Sequence, residues 1–165
     1  MAGTAGRHDE RGVGRVLGRF KSFVDRLRDE ANARLPDDEI QLAAALLLVE
    51  VMHADHEIDD RERLAVKSAL QKVFELTEEE AEAVFEIAEE RAKDVIPLQR
   101  YTSILNKALP PAGKLQLLEQ IWRVVFADDE LDKYEEHLVR RIAELLYIRH
   151  TDFILARLRA RGERV

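Results

Sequence analysis

One short acidic pattern occurs twice in this chain, 73 positions apart, and it limits the possible folds more than any other feature. The copies read Ala54-Asp55-His56-Glu57-Ile58-Asp59-Asp60-Arg61-Glu62 and Ala127-Asp128-Asp129-Glu130-Leu131-Asp132-Lys133-Tyr134-Glu135. Each follows a strongly apolar run, residues 46–52 in one case and 121–126 in the other, and each opens a new amphipathic stretch. A corner of this kind joins two helices and gathers carboxylates at the joint. The same shift aligns Leu48-Val49 with Ile121-Trp122, Val66 with Val139 and Phe74 with Tyr147. The duplicated piece is therefore a buried helix, a turn and a second helix, and two copies are expected to pack about a pseudo-twofold axis.

The rest of the chain reads as further helix. Residues 1–12 are small, polar and without period, so a flexible N-terminus is expected. Over residues 13–34, Val16, Leu17, Phe20, Phe23, Val24, Leu27 and Ala31 recur at steps of three and four, one face of a helix whose other face carries Arg15, Arg19, Lys21, Arg26 and Arg28. Docking of this leader on the body is the preferred reading; contact with an anionic membrane surface is the alternative. Leu35-Pro36-Asp37-Asp38 is a start signal for a helix that is apolar nearly all round to residue 54 and so belongs at the centre of a bundle. Asp59 with Glu62 reads as a cap and its return at the start of a helix over 60–74, and Thr77 with Glu80 as a second capping box. Pro97 opens a short helix that Pro110-Pro111 ends; residues 112–127 repeat the central helix, 133–146 the one after the corner, and 153–159 form a last short helix. The expected fold class is all-α, a bundle of about eight helices with an internal repeat. The expected organisation is a leader at 13–34, a helical domain over 35–160 and a flexible tail at 161–165.

Composition removes several functions. With 46% apolar residues, seven Gly and four Pro, the chain is rich in helix formers and poor in turn residues. There is no cysteine, so thiolate metal sites, dithiol redox chemistry and thiol nucleophiles are excluded. No apolar stretch approaches the roughly 20 residues of a membrane span, and no signal peptide is apparent, so a soluble cytoplasmic protein is expected. Residues 1–34 hold a net charge of +3 within an overall −7, leaving −10 on the body. An acidic body argues against nucleic acid, whose binding needs clustered Lys and Arg.

The acidic corners carry the candidate chemistry. Carboxylates packed this densely repel unless a cation, a helix N-terminus or a basic partner offsets them. Hard divalent cations, calcium or magnesium, take oxygen ligands of this kind. An EF-hand is excluded, because its glycine would fall on Asp60 and Lys133 and its closing Glu on Val66 and Val139. The candidate ligands are Asp55, Glu57 and Glu62 from one corner and Asp128, Glu130 and Glu135 from the other. For Asp59 and Asp132 capping is the simpler reading. Asp55 and Asp128 precede the cap, where starting a helix does not require a carboxylate. Glu50 and His53 form a single Glu-x-x-His; di-iron bundles need two, and the repeat holds Arg123 and Phe126 there. Trp122 and Tyr101 read as core, His56, His137 and His150 as surface. No catalytic constellation is present, so no enzyme is expected.

The two corners, with Leu117-Leu118-Glu119-Gln120-Ile121-Trp122-Arg123-Val124-Val125-Phe126-Ala127-Asp128 leading into the second, resemble the tellurite-resistance protein B-like (TerB-like) family over residues 40–157. In that family the corner reads Ala-Asp-Gly; here His56 and Asp129 stand at the glycine positions, and Asp tolerates a left-handed backbone better than His. The resemblance implies an all-helical, non-enzymatic binding or scaffolding module of stress response, with acidic patches that take divalent cations or a protein partner. Related domains also occur fused to membrane-anchored J-domain co-chaperones. The functional candidates it implies are Asp55, Glu57, Glu62, Asp128, Glu130 and Glu135.

Overall fold

The two apolar runs that precede the acidic corners become the central helices of an all-α bundle. The computed structural model describes residues 37–54, 58–128 and 133–162. Among them the order is α1 (Asp37–His53), α2 (Asp60–Phe74), α3 (Glu78–Arg91), α4 (Leu98–Ala108), α5 (Pro111–Val125), a 3-10 turn (Phe126–Asp128), α6 (Lys133–Leu145) and α7 (His150–Ala160). The described helices number seven rather than the eight expected, since the leader at 13–34 lies outside the described residues. The expected flexible N-terminus at 1–12 and residues 163–165 of the expected tail at 161–165 lie outside them too.

Local chemistry sets the helix ends. At α3 the Thr77 hydroxyl accepts the Glu80 N–H at 3.2 Å while the Glu80 carboxylate accepts the Thr77 N–H at 3.4 Å, the capping box read from sequence. Asp59 caps α2 by accepting the Arg61 N–H at 2.8 Å. Pro111 sits in the first turn of α5, where its missing N–H costs nothing. α6 ends in a Schellman arrangement, with Ile148 N–H donating to the Ala143 carbonyl and Tyr147 N–H to that of Glu144. Its last carbonyls also accept from Asn106 Nδ2 on α4, at Leu145, and from Lys114 Nζ on α5, at Leu146.

The repeat reaches further than its sequence match. Helices α1–α2–α3 and α5–α6–α7 have the same connectivity, and in each unit the first helix packs along the second and the third. α4 links the units and lies on α1 and α6, and α2 packs along α5 to join them. Burial keeps the register residue by residue. α2 buries Glu62, Val66, Ala69 and Leu70, and α6 buries Glu135, Val139, Ile142 and Ala143 at the equivalent places. Trp122, fully buried on α5, stacks on Phe126 and meets Phe153 edge-on, both at 5.4 Å between centroids. Arg157 and Arg161 lie over the Trp122 and Phe126 rings at 5.2 and 4.9 Å, closing this end of the core with cations.

Candidate cation site

Three of the expected ligands meet where the two units join. Glu62 is in the first turn of α2, Glu135 in the first turn of α6, and Asp128 ends the 3-10 turn after α5. One carboxylate oxygen from each lies within 4.8 Å of the other two. Glu62 and Glu135 are equivalent under the repeat, so their meeting puts the cluster near the expected pseudo-twofold axis. Asp55, Glu57 and Glu130, with Asp132, lie outside the described residues.

The burial of these carboxylates went unread in the sequence. Glu62 and Glu135, taken there as the return of a helix cap, are each 1% exposed. The signal was present: each stands four residues before a buried valine, Val66 or Val139, and so continues the inner stripe of its helix toward the N-terminus. Asp128 is half-buried. Asp59 does what the capping reading says, and it stays with Arg61, whose Nη2 is 2.9 Å from its carboxylate. That guanidinium, with the Arg61 backbone N–H, holds the Asp59 carboxyl below its ordinary value.

The donor set is all carboxylate oxygen, the chemistry of a hard cation. Three oxygens no more than 4.8 Å apart leave a point within about 2.8 Å of all three, close to calcium–oxygen distances. Two unit charges at this separation repel by roughly 3 kcal/mol at an effective dielectric of about 20. Carboxylates brought together out of water are stabilised by positive charge or by sharing a proton.

Glu50 and His53 lie elsewhere. They line a separate cavity of about 640 Å³ with Glu86, Glu89 and Glu90, and His53 Nε2 is 3.9 Å from Glu89 Oε1. Burial raises the Glu50 carboxyl above its ordinary value, and the nearby His53 partly opposes the shift. Among the described residues the cavity holds one Glu-x-x-His, half of what a di-iron bundle needs. Tyr101 and Trp122 are buried as expected.

No helix among the described residues is long and apolar enough to cross a membrane. Among curated proteins and among solved structures, nothing matches the chain. A comparison with protein families matches residues 41–158 to "Tellurite resistance protein TerB", a span that includes most of α1, all of α5, both acidic corners and every member of the carboxylate cluster. The chain belongs to the TerB family.

Proposed function

We propose that this protein is a non-enzymatic TerB-family binding module whose junction of Glu62, Asp128 and Glu135 takes a divalent cation, calcium being the best match in size. The observation that carries the reading is that repeat-related carboxylates meet at 1% exposure beside a third one. Burial separates the two candidate ligands of the acidic corners. A bare ion reaches carboxylates at this depth, whereas a basic side chain on a partner surface reaches only the exposed acids around them. The ion therefore occupies the junction, and a protein partner meets exposed acids such as Asp60. Asp55 is the repeat equivalent of Asp128 and the next ligand to test. The family's name states tellurite resistance, and a stress-response role of that kind in the cytoplasm is the setting that goes with this proposal.

Calorimetric titration of the full chain with calcium chloride, and separately with magnesium chloride, tests the ion. At about a hundred times Kd a ligand stabilises the folded state by about 2.7 kcal/mol, roughly 5–10 °C in melting temperature for a chain of this size. The double variant Glu62→Gln, Glu135→Gln is expected to melt higher than the parent without metal, because repulsion is relieved, and to lose the response to calcium. No binding heat and no melting shift at millimolar calcium or magnesium would reject the reading.

A further inference from the structure

Two cavities open beside α1. The smaller, about 90 Å³, is walled largely by aliphatic side chains, among them Leu42, Ala43, Leu46 and Ile104. The larger, about 640 Å³, has the size of a small-molecule site and a lining rich in acids. Glu50 and His53 enter it one turn apart on α1, and Glu86 and Glu89 one turn apart on α3. Ile58 and Ala92 supply apolar wall between these polar groups.

The positive charge in this lining is already engaged. Lys93 is held by Glu90 at 3.0 Å and Arg63 by Asp60 at 3.2 Å. Among the described residues no Lys or Arg forms an ion pair with Glu50 or Glu86, whereas Glu82, one turn before Glu86, has Lys67 at 2.8 Å. Glu50 is half-buried, and burial holds its carboxyl above its ordinary value. A cation brought to it offsets that lost hydration. The second unit fills the same place with its own side chains. Phe126 stands where the first unit has His53, and Arg123, at the place of Glu50, is held by Glu119 at 3.2 Å. Arg161 lies as far past the N-cap of α7 as Glu89 lies past that of α3, and its guanidinium covers the Phe126 ring at 4.9 Å. One unit thus carries its own cation where the other has acids around a cavity. A bare metal ion suits that cavity poorly. Among the described residues only Glu62, Asp128 and Glu135 bring three ligand atoms within 4.8 Å of one another. Acids that line a cavity without converging match a cation whose charges are spread along a chain.

We propose that the larger cavity binds a linear polyamine, with its ammonium groups against Glu50, Glu86 and Glu89 and its methylenes along Ile58 and Ala92. Ammonium groups three or four methylenes apart match the roughly 5–6 Å between side chains one turn apart on a helix. Several ammonium groups on one chain also engage together, which a single amine cannot do. The site is separate from the cation junction, since none of Glu62, Asp128 and Glu135 lines it.

Spermidine, titrated calorimetrically into the full chain, is the probe, and propylamine is its single-ammonium control. One-to-one binding is expected, at least about tenfold tighter than that of propylamine. The double variant Glu50→Gln, Glu86→Gln is expected to weaken it at least about tenfold. Glu78→Gln with Glu79→Gln removes the same charge from the exposed first turn of α3 and is expected to weaken it less than about twofold, since charges at a distance are screened. Melting curves verify that both variants fold. Glu62→Gln is expected to leave spermidine affinity within about twofold, so the calcium and polyamine readings stand or fall separately. Three results overturn the proposal: equal weakening by the two double variants, which makes binding a property of the acidic surface at large; loss of spermidine binding in Glu62→Gln, which moves it to the junction; and no heat at millimolar spermidine. In that last case zinc chloride and a tetralysine peptide, each compared with the Glu50→Gln, Glu86→Gln variant, assign the cavity to a metal or to a partner's basic side chains.

Discussion

Glu62 and Glu135 show how one side chain supports two local readings that only its neighbours separate. Three residues after a capping Asp, a Glu fits a capping box; four before a buried Val, it fits an inner stripe, and both spacings hold at once. The stripe prevails because the position is covered by the partner unit, a fact with no local signature. Glu50 is another acid whose surroundings matter. Burial favours its neutral form, so its carboxyl titrates above the ordinary 4.5, and between the two values the folded state binds more protons than the unfolded. Stability from this group is thus fully present below the unfolded value and is lost as pH rises through the folded one. Glu50→Gln is expected to melt higher than the parent near pH 7 and equally near pH 4. Melting curves across that range check it, and a parallel offset at every pH would contradict the assigned cause.

Helix ends were the most legible elements, because their signals are local. Thr77 with Glu80 was a capping box in the sequence and is one in the structure. The C-terminal ends were less legible: α2 and α6 both run into a non-glycine residue in the left-handed region, Glu75 at φ 54° and Tyr147 at φ 58°. A glycine there would have announced the stop; Glu and Tyr do not, and each costs about 1 kcal/mol relative to Gly. Glu75→Gly and Tyr147→Gly are each expected to raise the melting temperature by roughly 2–4 °C. The gain is cleaner at Glu75, since Tyr147 also has Lys114 Nζ 5.9 Å from its ring centroid. A fall in melting temperature at Glu75→Gly, measured by thermal unfolding, would show that its side chain contributes more than its backbone costs.

At the scale of the molecule, the cluster takes one ligand from the first unit and two from the second, so an ion bound there ties the halves together. Calcium is expected to slow amide hydrogen exchange in the first turns of α2 and α6 in parallel, and Glu62→Gln alone should abolish the slowing in both. Exchange followed by mass spectrometry on both helices reads this out, and protection confined to α6 would mean that Glu62 is not a ligand.

The all-α class, the repeat and the positions of the described helices follow from the sequence alone, because apolar period, prolines and caps act between residues a few positions apart. The duplicated corner likewise named the acids in advance. Which of them come together was a matter of tertiary structure. Glu62, Asp128 and Glu135 meet because α2, α5 and α6 pack where the units join, and an interaction across 73 residues leaves no trace in a local pattern. The same holds for the face of α1 that lines the two cavities. Its residues look like any apolar helix until the packing of α3 and α4 shows which side lines the cavities.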